Sequence, residues 1–271
     1  MIGHVRGALA LVSLMAFAGG PADAADSSLV TIETPRGVQQ AFILIKPENP
    51  VASVVLFAGG NGALGLKSES SMRWGAGNFL VRSRDKFAAQ GLMVAVVDAP
   101  SDQQQGMNAI FRMSQAHAQD IAAVAGYLRK QKDVPVWLVG TSMGTFSAAD
   151  GAIVNRTING LVLTSTITRA KPDWKIAQSH RNGVASMPLS RVRVPTLIMS
   201  HRNDGCEITP ASDAPKLRKR LRRASVVEGA VLDGGNPPQS EACEGKSQHG
   251  YFGIENEAVT TIAKFVAANG K

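Results

Sequence analysis

The sequence predicts an α/β fold: one mostly parallel, eight-stranded sheet with helices on both faces. Three observations carry that prediction. Eight short runs rich in apolar and β-branched residues recur along the 271-residue chain. Most of them are near-continuous rather than alternating, the pattern of strands buried on both faces. Helix-period segments lie between them, and strand-helix alternation favours parallel strands joined by right-handed crossovers.

The first 24 residues stand apart. Residues 8–18, ALALVSLMAFA, are an apolar run of signal-peptide length, and Ala22-Asp23-Ala24 matches an A-x-A cleavage site. Residues 1–24 are therefore expected to be a signal peptide. The mature chain would start at Ala25 and be exported, periplasmic or secreted. No later segment is long and apolar enough to span a membrane. Two cysteines, Cys206 and Cys243, fit that compartment as one disulfide.

Residues 25–271 read as one domain, because no composition break marks a second. Runs 28–34 and 39–47 have no helix between them and should open the sheet as an antiparallel hairpin. Runs 51–58, 91–99, 134–140, 160–166 and 194–200 follow, and 225–234 is a weaker eighth. Helical patterns occupy 70–90, 114–130, 142–155 and 255–268. Within 114–130, Ile121, Val124, Ala125 and Leu128 share one face. Segment 167–193 has no clear period and reads as a small cap or a long crossover.

Composition narrows the function classes. Hydrophobic residues make up 44% of the chain and charged residues 18%, ordinary for a globular protein with a real core. The net charge is +8, part of it in KLRKRLRR at 216–223. Such a run either grips an anionic polymer or is the solvated side of a helix. Ala214, Leu217, Leu221 and Ala224 share a helical face, which favours the solvated side and no nucleic-acid partner.

The run VVLFAGGNGALGL, 54–66, contains Gly60-x-Gly62-x-x-Gly65, the spacing of a dinucleotide fingerprint. That reading fails on its partner acid, which should lie about 20 residues on. The next strand ends at Asp98, 33 residues past Gly65. Export also weighs against a nicotinamide cofactor.

LVGTSMG, 138–144, is the strongest signal. Gly140-x-Ser142-x-Gly144 follows an apolar strand and opens a helical pattern, the context of a nucleophile elbow. A sharp strand-to-helix turn exposes the serine hydroxyl, and small residues at 140 and 144 avoid the neighbouring backbone. The helix N-terminus favours a developing negative charge.

On this motif and its flanking elements the chain resembles the α/β-hydrolase superfamily, over roughly residues 28–268. The resemblance implies a triad in the order Ser, acid, His. Ser142 would be the nucleophile. His249 alone among five histidines lies after the last strand and before the last helix, and would be the base. Asp204, four residues past the strand ending at 200, would be the acid, with Asp213 as runner-up; Asp233 falls too late, and Asp98, ending an earlier strand at the same edge, suits a pocket or structural role. The Met143 N–H would be one oxyanion donor, and Gly60 or Asn61, in the loop after the third strand, the other. Cys206 and Cys243 flank Asp204 and His249, so their bridge would tie the acid loop to the base loop. Trp174, Met187 and Tyr251 are candidate pocket walls, although stray aromatics more often pack.

The implied activity is hydrolysis of a small or medium carboxylic ester through an acyl-enzyme, with no metal or organic cofactor. Peptidase or thioesterase chemistry on the same triad, or a non-catalytic binding protein with this fold, are the alternatives.

Overall fold

Alternate side chains of each strand enter opposite halves of the core, and this sets the layering. The structure is a computed structural model that describes residues 25–270. The expected signal peptide lies outside the described residues. In chain order the elements are β1 (Asp26–Glu33), β2 (Gln39–Lys46), β3 (Ala52–Phe57), α1 (Phe79–Arg82), α2 (Arg84–Ala89), β4 (Leu92–Val97), α3 (Ala109–Arg112), α4 (Gln115–Gln131), β5 (Val136–Ser142), α5 (Gly144–Val154), β6 (Gly160–Thr166), β7 (Thr196–His201), α6 (Ala214–Arg220), β8 (Val227–Leu232) and α7 (Glu255–Asn269).

The eight strands form one sheet in the order β1-β2-β4-β3-β5-β6-β7-β8. β1 pairs antiparallel with β2, and β2 antiparallel with β4; every other pairing is parallel. β3, β4, β6 and β7 are buried along their whole length, which is why they read as unbroken apolar runs. On one face Phe57, Leu138, Leu163 and Ile198 pack against α4, α5, α6 and parts of segment 167–192. On the other, Leu56, Val139, Val162 and Met199 pack against α1, α2 and α7.

The helix expected over 70–90 is not continuous. Residues 67–78 are loop, pinched by a bridge between Leu66 and Met72, and helix begins only at Phe79. Gly75 sits at φ = 86°, outside the helical region, and Asn78 caps α1 by accepting the Leu80 N–H at 3.1 Å. Segment 167–193 holds two short 3-10 turns, Gly183–Ser186 and Leu189–Arg191. Its Ile176, Val184 and Leu189 are buried in the core. In the basic run, Leu217 and Leu221 are buried while Lys216, Arg218, Lys219 and Arg220 face solvent.

Candidate active site

The parallel strands end at one edge, and the loops after β3, β5, β7 and β8 meet there. β5 runs into α5 through Ser142, which is held at φ = 51°, a left-handed conformation costly for a residue with a Cβ. The neighbouring glycines allow the turn. A Cβ on Gly140 would collide with the backbone of Gly144, and one on Gly144 with the carbonyl of Phe57. The ladder to β6 shifts register at Thr141 and Ser142, so the serine leaves the strand on its own path.

β7 delivers Asp204, whose side chain is fully buried. Its Oδ1 accepts the Cys206 N–H at 2.9 Å. Its Oδ2 lies 3.0 Å from His249 Nδ1 and accepts the Thr209 hydroxyl at 2.9 Å. Thr209 Oγ1 is also 3.1 Å from His249 Nδ1. A carboxylate can only accept, so His249 carries its proton on Nδ1 and leaves Nε2 basic. Nε2 is buried and bonds no protein group among the described residues. In particular, no hydrogen bond joins it to Ser142 Oγ.

His249 sits in a 3-10 turn, Gln248–Gly250, ahead of α7. Its carbonyl accepts the Ser165 hydroxyl at 2.8 Å. Ser165 is near the end of β6, the strand beside β5, and this bond fixes the histidine one strand from Ser142. The other described histidines are committed elsewhere. His201 accepts the Asn203 N–H on Nδ1 and contacts the Gly234 carbonyl through Nε2. His117 is buried against Ser147. Burial, reinforced by the Arg112 charge, pushes it down to about 3. His180 Nδ1 meets the neighbouring Ser179 hydroxyl at 3.0 Å.

The rival acids are also occupied. Asp213 bonds Arg169, Lys216 and Thr168. Asp233 pairs with Arg202 at the surface. Asp98 serves the glycine loop, accepting the N–H groups of Leu64, Gly65, Leu66 and Ala99.

The glycine loop lies against Ser142. A Cβ on Gly59 would come within 2.9 Å of Ser142 Cβ. The N–H groups of Gly60, Asn61 and Met143 have no protein acceptor among the described residues. Gly60 (φ = 58°) and Gly62 (φ = 71°) hold left-handed conformations that give the loop its turns.

No protein-family profile and no curated protein sequence matches the chain. Solved structures do. An esterase from Pyrococcus furiosus superposes with a TM-score of 0.64 at 14% identity, over 91% of this chain and 92% of that one. A dienelactone hydrolase from Anabaena variabilis gives 0.59 at 14%, over 92% and 100%. An α/β hydrolase from a Penicillium species gives 0.63 at 11%, over 90% and 99%.

The chain has the α/β-hydrolase fold.

Within that fold, a cavity of about 460 Å³ opens beside Gly60, Asn61 and Met143. Met107, Ile110, Trp174 and Ile176 give it apolar walls. Of the three candidate wall residues, only Trp174 lines it. Met187 lines an adjoining cavity, and Tyr251 is fully buried, donating to the Met199 carbonyl at 3.0 Å.

Cys206 and Cys243 form a disulfide with Cα atoms 4.6 Å apart, tying the loop of Asp204 to the loop that leads to His249. Asp204, Cys206 and His249 bring donor atoms within 4.8 Å of one another. This is not a metal-ligand set, because the sulfur is oxidised and Nδ1 is engaged with the carboxylate.

Thr209 and Ser165, which hold His249, and Asn78 and Arg112, which border the glycine loop at Gly59 and Gly60, were not found from the sequence. Of these only Asn78 carries a local signal, a polar residue immediately ahead of a buried apolar run, as expected of a helix cap.

Proposed function

We propose that the protein is an exported serine hydrolase that cleaves small or medium carboxylic esters through Ser142, His249 and Asp204. One conjunction carries the reading. A serine held at φ = 51° on a strand-helix turn shares a sheet edge with a buried His249–Asp204 pair whose basic nitrogen has no protein partner. Strain of that kind is a cost unless the exposed hydroxyl is used.

In this mechanism His249 Nε2 takes the Ser142 proton as Oγ attacks the ester carbonyl. The hydrogen bond between them closes when substrate is bound, as catalytic contacts in free enzymes are often loose. The oxyanion forms against the Met143 N–H and the glycine loop. Asp204 and Thr209 hold the imidazole so that Nδ1 keeps its proton and the imidazolium is stabilised. His249 then protonates the leaving alcohol, and water repeats the sequence on the acyl-enzyme. The apolar cavity suits an acyl chain of modest length, with Trp174 and Ile176 of segment 167–193 among its walls. The disulfide supports an oxidising compartment.

A fluorophosphonate probe tests the reading. Folded, disulfide-intact protein should be labelled at Ser142, as located by mass spectrometry, and Ser142→Ala and His249→Ala should lose the label. Absence of labelling and of turnover on p-nitrophenyl esters of graded chain length would sink it.

A further inference from the structure

Arg112 closes α3 and is wholly buried. Among the described residues it pairs with no carboxylate. Asp120, a buried carboxylate on α4, is taken by Arg36 at 2.8 Å. Burial lowers the guanidinium to about 10, so it remains a cation at neutral pH. An unpaired buried charge is costly, and its donors must be answered by well-placed acceptors.

Those acceptors are in the glycine loop. Arg112 Nη2 donates to the carbonyls of Ala58 at 3.4 Å and Gly60 at 3.3 Å. Nη1 donates to the Ser147 hydroxyl at 3.0 Å, and Nε to the Met107 carbonyl at 3.1 Å. The fit is close: a Cβ on Gly62 would collide with Nη2. His117, which shares the Ser147 hydroxyl with it, is held neutral by burial, and Arg36, the other cation acting on His117, is paired with Asp102 and Asp120.

A planar trans peptide points its C=O and N–H in opposite directions. The Gly60 carbonyl is drawn down to Arg112, so the Asn61 N–H of the same peptide points away from the guanidinium. Gly60 and Asn61 border the cavity beside Met143, and the Asn61 N–H has no protein acceptor among the described residues. The Met107 N–H, donating to the Asn61 carbonyl at 2.7 Å, fixes the following peptide.

We propose that Arg112 is a positioning residue that aims the Asn61 N–H into the site as the second oxyanion donor, in preference to Gly60. Its charge acts through the same peptide, because a carbonyl bonded to a cation makes its amide a stronger donor. The proposal rests on the hydrolase reading for its catalytic consequence, but not for the geometry.

The test compares wild type with Arg112→Met and Arg112→Lys, each checked for cooperative melting. On a p-nitrophenyl ester, Arg112→Met should lose roughly 30- to 300-fold in kcat with KM within about threefold, the scale of a lost oxyanion donor. Affinity for a boronic acid, which forms a tetrahedral adduct on the serine, should fall in parallel. Arg112→Lys, a point charge without the fork, should keep the fold and lose on the order of tenfold in kcat. That variant decides the matter if the methionine protein does not fold. An Arg112→Lys protein that folds with unchanged kcat overturns the proposal.

A second arm does not depend on catalysis. In a ¹⁵N–¹H spectrum, the Asn61 amide should shift in both variants and shift again when wild type binds the boronic acid. An Asn61 amide unmoved by loss of the guanidinium overturns the proposal even in an active enzyme. Wild-type inactivity on esters would sink the hydrolase reading, while the amide shift would still decide what Arg112 positions.

Discussion

Asp98 Oδ1 accepts the backbone N–H of Leu64 at 2.6 Å, so the end of β4 holds the loop that leaves β3. The same carboxylate accepts Gly65 at 3.1 Å, Leu66 at 2.9 Å and its own neighbour Ala99 at 2.7 Å. Four peptide dipoles thus answer one buried carboxylate that makes no salt bridge among the described residues. Asp98→Asn replaces one acceptor oxygen with an NH2 group that must face N–H donors. We expect a loss of about 2–4 kcal/mol in urea unfolding, from hydrogen bonds to a charged group left unmade. The loop carrying Gly60 and Asn61 should loosen with it, so kcat on an ester should fall more than KM rises. An Asp98→Asn protein as stable as wild type would contradict this account of the loop.

Cys206 contributes its N–H to Asp204 and its sulfur to Cys243, so the bridge bears on the geometry of the Asp204 carboxylate. The two cysteines are 37 residues apart in sequence. Chain entropy assigns such a closure about 3–4 kcal/mol. The Cys206→Ser/Cys243→Ser double variant should show that loss by chemical denaturation. Its Ser142 should also react more slowly with a fluorophosphonate under conditions where the protein is still folded. Equal labelling rates would mean that the bridge only stabilises the chain.

The sheet was legible because its strands are buried on both faces and so read as unbroken apolar runs. The turn at Ser142 was legible because its constraints are local: glycines at 140 and 144 are demanded by backbone contacts within and beside the turn. The pairing of Asp204 with His249 was implied by the resemblance, whose order of serine, acid and histidine puts the two on loops at one sheet edge, where they meet at 3.0 Å. Residues 70–78, expected as the start of a helix over 70–90, are loop, because Gly75 and Gly77 break the pattern ahead of Phe79. Arg112, Thr209 and Ser165 were invisible for another reason. Each acts through a contact between residues distant along the chain, such as Arg112 with Gly60 or Ser165 with His249, and no spacing rule encodes those. The dinucleotide-like glycines resolve in the same way. Gly65, at φ = 61°, offers its N–H to Asp98, so the acid beyond the next strand binds the loop itself.

Asp150 gives the sharpest prediction about pH. It lies on α5, 8% exposed, and its Oδ2 has no hydrogen-bond partner among the described residues. Burial raises its carboxyl to about 6, against the pull of the Arg191 charge. The folded state therefore holds the proton more tightly than the unfolded chain, whose value is near 4. The sign follows. Below about pH 4 both states are protonated and Asp150 has no ionisation cost. As pH rises from 4 to 6 the unfolded chain ionises first, and stability falls. Above 6 the deficit is constant. Asp150→Asn removes the ionisation and should stabilise the protein at pH 8 but not at pH 4. Discounted for partial solvent access, the gain should be about 1 kcal/mol, or roughly 2–4 °C in Tm for a chain of this size. Melting curves of both proteins at the two pH values check it: a variant no more stable at pH 8, or equally stabilised at pH 4, would show that the carboxyl is not held neutral by burial.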